Sequence, residues 1–392
     1  MYLNKYLIFV AKNATMEIFP LIDYDIRTVL FFLFCLMACL QLVWILFIYL
    51  RLLTHKDKAE QVQLAPISVI ISARNEEDNL FKLLPAVLNQ DYPTFEVVVV
   101  NHQSTDDSKF ILQAYQQDYD NLKVIHLEKS KHIKNGKKLP LTIGIKGAKY
   151  KHLLLTDADC KPSSKYWIKE MAAQFTEQKE IVLGYGPYTK EKGLLNRIIR
   201  LDTVMIAMNY LSYAKAKLPY MGVGRNMGYT KSIFEKNSGF KSHYAIQSGD
   251  DDLFIQEVAQ KNNYTVCLDP ATFCSSPSEK TWEDWYRQKT RHFTTTGHYK
   301  VFKKMMLGIY PLSLILVYTS FSILCLNYQV SLVSLCILAL LLILKWSIQG
   351  RCLVRLKEKG LAWLFPFWDL VYAILAPSLY YTSEKKKKVT WK

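Results

Sequence analysis

The sequence predicts an α/β domain, a mostly parallel sheet covered by helices on both faces, inserted between membrane-spanning helices. Three observations predict it. Between about Ala65 and Ser275, short β-rich runs alternate with segments of helical spacing. The β-rich runs are almost continuously apolar, as strands covered on both faces should be. Uninterrupted apolar stretches flank this middle region, long enough for a bilayer core of about 30 Å.

A chain of 392 residues suggests two or three structural units, and half of this one is hydrophobic. After an N-terminal segment (1–27), the run Thr28–Leu53 carries no charge until Arg51. It lies far into the chain and lacks a small-residue cleavage site, so residues 28–50 read as an anchor and not a secretory signal. Arg51, Lys56 and Lys58 come after it, whereas Asp23 and Asp25 precede it. The positive-inside rule then places the residues beyond the anchor, beginning with a linker at 51–64, in the cytoplasm.

The apolar runs 305–326 and 330–348 form a hairpin, out and back, that returns the four basic residues of 351–360 to the cytoplasm. A fourth run, 361–381, contains Pro366, Asp369 and Pro377. Were it to span, the lysines at 385–388 would lie outside, so 349–392 reads as a basic loop, a re-entrant or interfacial helix and a cytoplasmic tail.

The net charge of +16 does not point to nucleic acid. Lys and Arg crowd beside the apolar segments, at 280–304, 351–359 and 385–388. Anionic head groups attract them there by about 1 kcal/mol each. The eight cysteines show no paired or metal-type spacing, and Cys35, Cys39, Cys325 and Cys336 sit in hydrophobic runs, so reduced structural thiols are expected.

In the middle region, strands are expected at 67–73, 95–101, 122–127 and 151–159, with helices at 76–90, 106–117 and 137–149 despite Pro85 and Pro140. Ligands of parallel sheets bind at the carboxyl ends of the strands. Polar residues stand there: "ARNEE" (73–77), "NHQSTDDS" (101–108) and "DAD" (157–159). Side chains at i and i+2 of an extended chain point the same way, so Asp157 and Asp159 can face one cation or ligand. A solvated turn explains an isolated Asp-x-Asp equally simply.

Neither Gly-x-Gly-x-x-Gly nor Gly-Lys-Ser/Thr occurs, which excludes a backbone cradle for a dinucleotide or P-loop phosphate. A bound diphosphate would instead need a divalent cation, Mg²⁺ or Mn²⁺, held at Asp159.

Four further stretches have two readings each. "GDDD" (249–252) suits a helix cap as well as a site. Residues 282–304 combine Trp, Tyr and basic residues before an apolar run, as an interfacial helix does. "GVGRNMGY" (222–229) is a glycine-permitted loop or a ligand-facing segment. Residues 194–211 have helical spacing that suits either a core or a membrane-facing helix.

In their order, "ISVIISARNEE", "NHQSTDDS", "GKKLPLTIGIKGAK", "LLLTDADC", "SGDDDLF" and "RQKTRHF" resemble the membrane-bound family 2 glycosyltransferases, over about residues 65–300. The resemblance implies an A-type nucleotide-sugar-binding fold and an inverting transfer. It implies that Ala73, Arg74, Asn75 and Glu76 contact the nucleotide, with Asn101, His102, Lys137 and Asp157 on the same side, and that Asp159 with Asp157 holds the metal.

Asp251 matches the catalytic base, with Asp250 or Asp252 as alternatives. Gln288, Arg291 and His292 match the Gln-x-x-Arg-Trp motif over diphosphate and acceptor, and Gly224, Arg225 and Asn226 an acceptor-side segment. Two positions depart from the pattern: His102 stands where the family has an acid, and His292 where it has Trp. Without paired His or Cys spacing, both read as structural rather than ligating.

The chemistry suits these residue types. A leaving diphosphate needs positive charge, and an acceptor hydroxyl needs a base on the opposite face. The expected protein is a multi-pass enzyme of the plasma (inner) membrane with a cytoplasmic catalytic domain. It would move a sugar from a UDP donor to a lipid or glycan hydroxyl. A processive polysaccharide synthase and an inactive scaffold of the same fold are the rival readings.

Overall fold

The computed structural model describes residues 25–57, 65–128, 136–327 and 331–384. Asp23, the second half of the expected linker (58–64) with Lys58, and the lysines at 385–388 lie outside the described residues.

The four expected strands form as β1 (Ile67–Ala73), β2 (Phe95–His102), β3 (Leu122–Leu127) and β4 (His152–Asp157). They are mutually parallel, in spatial order β3-β2-β1-β4. Their side chains alternate between two cores. Val69, Ile71, Val97, Val99 and Leu154 pack on one face, and Ile70, Val98, Val100, Leu153 and Leu155 on the other. Because both faces are buried, the runs read as continuously apolar although the pleat has a period of two.

The helices Glu77–Leu88, Ser108–Asp118 and Lys138–Gly147 cover the sheet. Pro85 lies inside the first and cannot donate to the Phe81 carbonyl; the Tyr115 hydroxyl donates there instead, at 2.8 Å. Pro140 falls in the first turn of its helix, where the amide has no helical partner in any case. A Cβ on Gly144 would lie 2.9 Å from the Ile70 side chain, so its absence lets that helix rest directly on the sheet.

Beyond β4 the sheet continues as β7 (Met227–Thr230), β6 (Ile181–Leu183) and β8 (Tyr264–Val266), and a separate ribbon pairs β5 (Lys161–Pro162) with β9 (Cys274–Ser275). β7 runs antiparallel to both β4 and β6. Apart from the two-residue ribbon, these strands hold three or four residues each, too few to display a period, so sequence patterning passes over them. The direction of β7 matters for function. Its leading loop, residues 222–226, enters the sheet at the edge where β1 and β4 end.

Among the described residues, three helices are long and apolar enough to cross a membrane: Ile26–Leu53, Val301–Leu326 and Leu332–Arg355, of mean hydropathy 2.7, 1.9 and 2.1. The first widens into a π turn at Ile45–Tyr49 and the third at Lys345–Gly350. Residues 361–381 do not turn back on themselves. They lie in helix Lys359–Ala362 and in one unbroken helix, Phe365–Glu384, which packs Tyr380 against Phe293.

Polar groups join these helices: Gln41 Nε2 donates to the Tyr310 carbonyl at 2.8 Å, and Lys345 Nζ lies 2.6 Å from Asp369 Oδ2. Helix Leu194–Lys215 is core, not lipid-facing. It lies between the sheet and the apolar helices, where Tyr213 accepts from Trp44 Nε1 at 2.6 Å and Asn209 from the Tyr49 hydroxyl at 2.7 Å.

Candidate active site

The strand order reverses between β1 and β4, and parallel register aligns their ends, pairing Ala73 with Asn101 and Ser72 with Asp157. A crevice opens at such a reversal. Here it is part of a cavity of about 820 Å³. Arg74 and Glu76 enter it from beyond β1, Asp157 and Asp159 from β4, and Gly224 and Arg225 from the loop before β7. Asp250, Asp251 and Asp252 enter from the turn after Gly249, whose φ of +103° suits only glycine. Gln288, Arg291 and His292 enter from helix Trp282–Phe293. The interfacial helix expected within 282–304 is a helix of this extent, then a short turn at Thr296–His298 before the apolar helix begins at Val301.

Lys137 stands at the centre. Its Nζ is 2.6 Å from Asp157 Oδ1 and 3.4 Å from Asp250 Oδ2, so one ammonium joins the acids of two motifs. Burial alone would push the Asp157 carboxyl up, but Lys137 outweighs it, and Arg225 and Arg291 add to the pull, leaving Asp157 below its usual range. Asp159 lacks such a partner; burial and then the Asp157 charge push it up. Glu76 rises to about 7 through burial, then the charges of Asp159, Asp157 and Asp106.

Asp157, Asp159 and Cys160 could each turn one ligand atom to a common ion, these atoms lying within 4.8 Å of one another. A divalent cation relieves a carboxyl pushed up as Asp159 is, by burial and then by the Asp157 charge, and the two carboxylates offer the oxygen ligands that Mg²⁺ or Mn²⁺ takes. Cys160 was not expected here. Its place directly after Asp159 was the available signal, but its buried thiol, pushed well up by burial first, stays protonated.

The three consecutive aspartates differ in what they touch. Asp250 faces Lys137. Asp252 is occupied, accepting from the Tyr299 hydroxyl at 2.7 Å and from Thr295 Oγ1. Asp251 caps its own helix through the Asp252 amide, accepts from the Gly224 amide at 3.0 Å, and is pushed up to about 7 by burial and then by Asp250 and Asp252. Among the three it is the one suited to exchange a proton near neutral pH.

Gln288 accepts from Tyr188, and the Tyr188 ring lies under the Arg225 guanidinium at 4.2 Å. Lys289, next to Gln288, pairs with Asp202 at 2.8 Å and fastens this helix to Leu194–Lys215. Sequence reading missed Tyr188 and Asp202, which lie outside the motifs, and Lys289, which fills an unspecified position of Gln-x-x-Arg. Burial, then the nearby cations Arg291 and Lys289, hold His292 well below its usual range, so it is neutral at pH 7.

Five expected residues do not line the cavity. Ala73 and His102 are fully buried at their strand ends, and Asn101 bonds His126. Asn75 ties the β1 loop to the β2 loop, accepting from the Thr105 amide at 2.8 Å. Asn226, expected on the acceptor side, is completely buried and internally engaged. It donates to the Tyr185 and Thr272 carbonyls, both at 2.8 Å, and accepts from Trp167 Nε1 at 3.0 Å. Asn226→Leu would leave three buried groups unpaired, each worth about 1–3 kcal/mol. The expected outcome is a lower thermal midpoint with the affinity for nucleotide unchanged; weaker nucleotide binding without loss of stability would count against this placement.

Residues 154–382 match the profile of Glycosyl transferase family group 2, and residues 68–237 that of Glycosyl transferase family 2. The chain is 25% identical over 275 residues to the "Probable glycosyltransferase YdaM" of Bacillus subtilis, covering 64% of this chain and 63% of that one. It is 31% identical over 198 residues to the "Poly(ribitol-phosphate) beta-glucosyltransferase" of Bacillus spizizenii, covering 50% and 30%. The chain thus spans less than two thirds of each of these curated relatives. In fold it is similar to a mannosyltransferase, PcManGT, from Pyrobaculum calidifontis, solved with GDP-Man and Mn²⁺, with a TM-score of 0.54 at 16% identity over 89% of this chain and 98% of that one.

Proposed function

The chain belongs to Glycosyl transferase family group 2, and on that footing we propose that it is a metal-dependent inverting transferase moving a sugar from a UDP-sugar to a hydroxyl at the cytoplasmic face of a membrane. The observation that carries this reading is the convergence of Asp157, Asp159, Asp251, Gln288 and Arg291 on one cavity at the strand ends. Asp251 takes the proton as the acceptor oxygen attacks the anomeric carbon; the bond from that carbon to the diphosphate oxygen breaks on the opposite face, which inverts the centre. Arg291 and Gln288 bind the departing diphosphate. Asp157 and Asp159 would hold Mg²⁺ or Mn²⁺, whose charge offsets that of the diphosphate. The apolar helices anchor the chain, with Arg51 and Lys56 after the first on the cytoplasmic side.

The test is nucleotide release from UDP-, GDP- and dTDP-sugars by the full chain in detergent with total membrane lipid as acceptor. Release from one donor that EDTA stops and Mn²⁺ restores is expected. Asp159→Ala should abolish it and weaken Mn²⁺ binding, read independently from the spin-resonance signal of the free ion. Absence of release with every donor, together with no detectable nucleotide binding, would leave the inactive-scaffold reading.

A further inference from the structure

The cavity that holds the acids does not end at the sheet. It continues between helices Leu194–Lys215, Val301–Asn327 and Phe365–Glu384, where Met205, Ile206, Leu307, Pro311, Ala373 and Ala376 form its walls. None of these six side chains can donate a hydrogen bond; Tyr49, Tyr213, Tyr310 and Tyr372 also line this part, and the first three hydroxyls already donate to Asn209, the Met306 carbonyl and Asp369. Two of the three helices that could cross a membrane border this arm, for Tyr49 on the π turn of the first also lines it.

A glycan carries hydroxyls on every face and would exchange its many hydrogen bonds with water for few along such walls, whose tyrosine hydroxyls are mostly engaged within the protein. A hydrocarbon chain is favoured there. The arm is also built to meet a ligand. Asp369, 1% exposed, lines the cavity; its Oδ2 accepts from Lys345 and Tyr310, at 2.6 and 2.7 Å, whereas its Oδ1 has no hydrogen-bond partner. A buried carboxylate oxygen left unmet by the protein marks a place for a donor on the ligand.

We propose that this arm is the acceptor subsite, and that the acceptor is a membrane lipid with hydroxyls on its head group. The inference rests on the glycosyltransferase reading and deepens it. The lipid enters sideways between the helices, lays its chain along the arm, turns one hydroxyl to Asp251 and presents another to Asp369. Each product must then leave by the same route, so a glycolipid forms by single transfer and not a polymer.

The experiment uses the full chain in phosphatidylglycerol vesicles with a monoacylglycerol carrying a diazirine in its acyl chain, irradiated and mapped by mass spectrometry. Adducts at Leu307 and Ala376 are expected to fall about fivefold or more under about tenfold excess of unlabelled monoacylglycerol. Maltose at equal concentration should leave them unchanged. Ala376→Trp, which fills the arm, should lose the inward adducts, whereas Ile374→Trp, on the outer face where Ile374 is 55% exposed, should keep them.

Adducts confined to outward positions such as Ile374, or inward adducts that maltose displaces, would overturn the lipid subsite. Nucleotide release measured on the same preparation separates the two readings. Release without inward labelling removes the lipid arm alone; inward labelling without release removes the transferase reading and leaves a lipid site.

Discussion

Asp251→Asn is expected to lower kcat by roughly 10²–10⁴-fold, the usual contribution of a general base, with little change in nucleotide affinity. The wild-type pH profile should share its cause. Burial, then Asp250 and Asp252, raise the Asp251 carboxyl to about 7, and the base works only when ionised. The logarithm of kcat/KM should therefore rise with a slope of about one below pH 7 and level off above it. Glu76 titrates in the same range, so Glu76→Gln serves as the control. Persistence of the limb in Glu76→Gln assigns it to Asp251; its loss there would assign it to Glu76 and remove Asp251 as the base.

The same substitution carries an opposite consequence for stability. An aspartate that titrates at about 7 when folded and near its ordinary value of 3.8 when unfolded binds protons more tightly in the folded state. Folding stability then falls as pH rises between those values, and the full cost of burying the ionised group is present above about pH 7. Asparagine escapes this cost. Asp251→Asn should accordingly raise the thermal midpoint at pH 8 by more than at pH 5, by the equivalent of about 2 kcal/mol. Equal midpoints for the two proteins across that range would show that Asp251 is not perturbed.

The second large effect is expected at Lys137. Lys137→Met removes the ammonium that faces both the half-buried Asp157 and the buried Asp250, leaving each without its nearest countercharge. Breaking a fully buried pair from one side costs about 3–5 kcal/mol, and water reaching Asp157 lowers that figure here. The variant should unfold at a markedly lower temperature at pH 8, recover in part at pH 5 as the acids protonate, and bind nucleotide weakly. Adding Asp250→Asn should return part of the stability, because the two residues are in contact and their effects do not add. A Lys137→Met protein as stable as wild type at both pH values would mean that solvent, and not Lys137, balances these acids.

Different parts of the molecule were legible to different degrees. β1 and β3 fall at the predicted residues, 67–73 and 122–127, because strands buried on both faces announce themselves as apolar runs bounded by polar residues. The short β6, β7 and β8 were invisible, and with them the antiparallel β7. That strand explains how Gly224 and Arg225, some 65 residues beyond Asp159 in sequence, stand across the cavity from it. Asn226, their neighbour, looked equivalent in sequence but turns inward, where the Tyr185 and Thr272 carbonyls accept from its amide.

The sequence by itself determined the parallel half of the sheet, the acids at its strand ends and the three apolar helices, since each is a local pattern of period or run length that few other arrangements satisfy. Tertiary structure alone decided how each aspartate of "GDDD" is engaged. Asp250 meets Lys137, Asp252 accepts from Tyr299 and Thr295, and Asp251 accepts only from the Gly224 and Asp252 amides and is pushed up to about 7. It also decided that the acids and the apolar helices share one cavity. Both outcomes depend on contacts between residues tens to hundreds of positions apart, and such contacts leave no periodic trace along the chain.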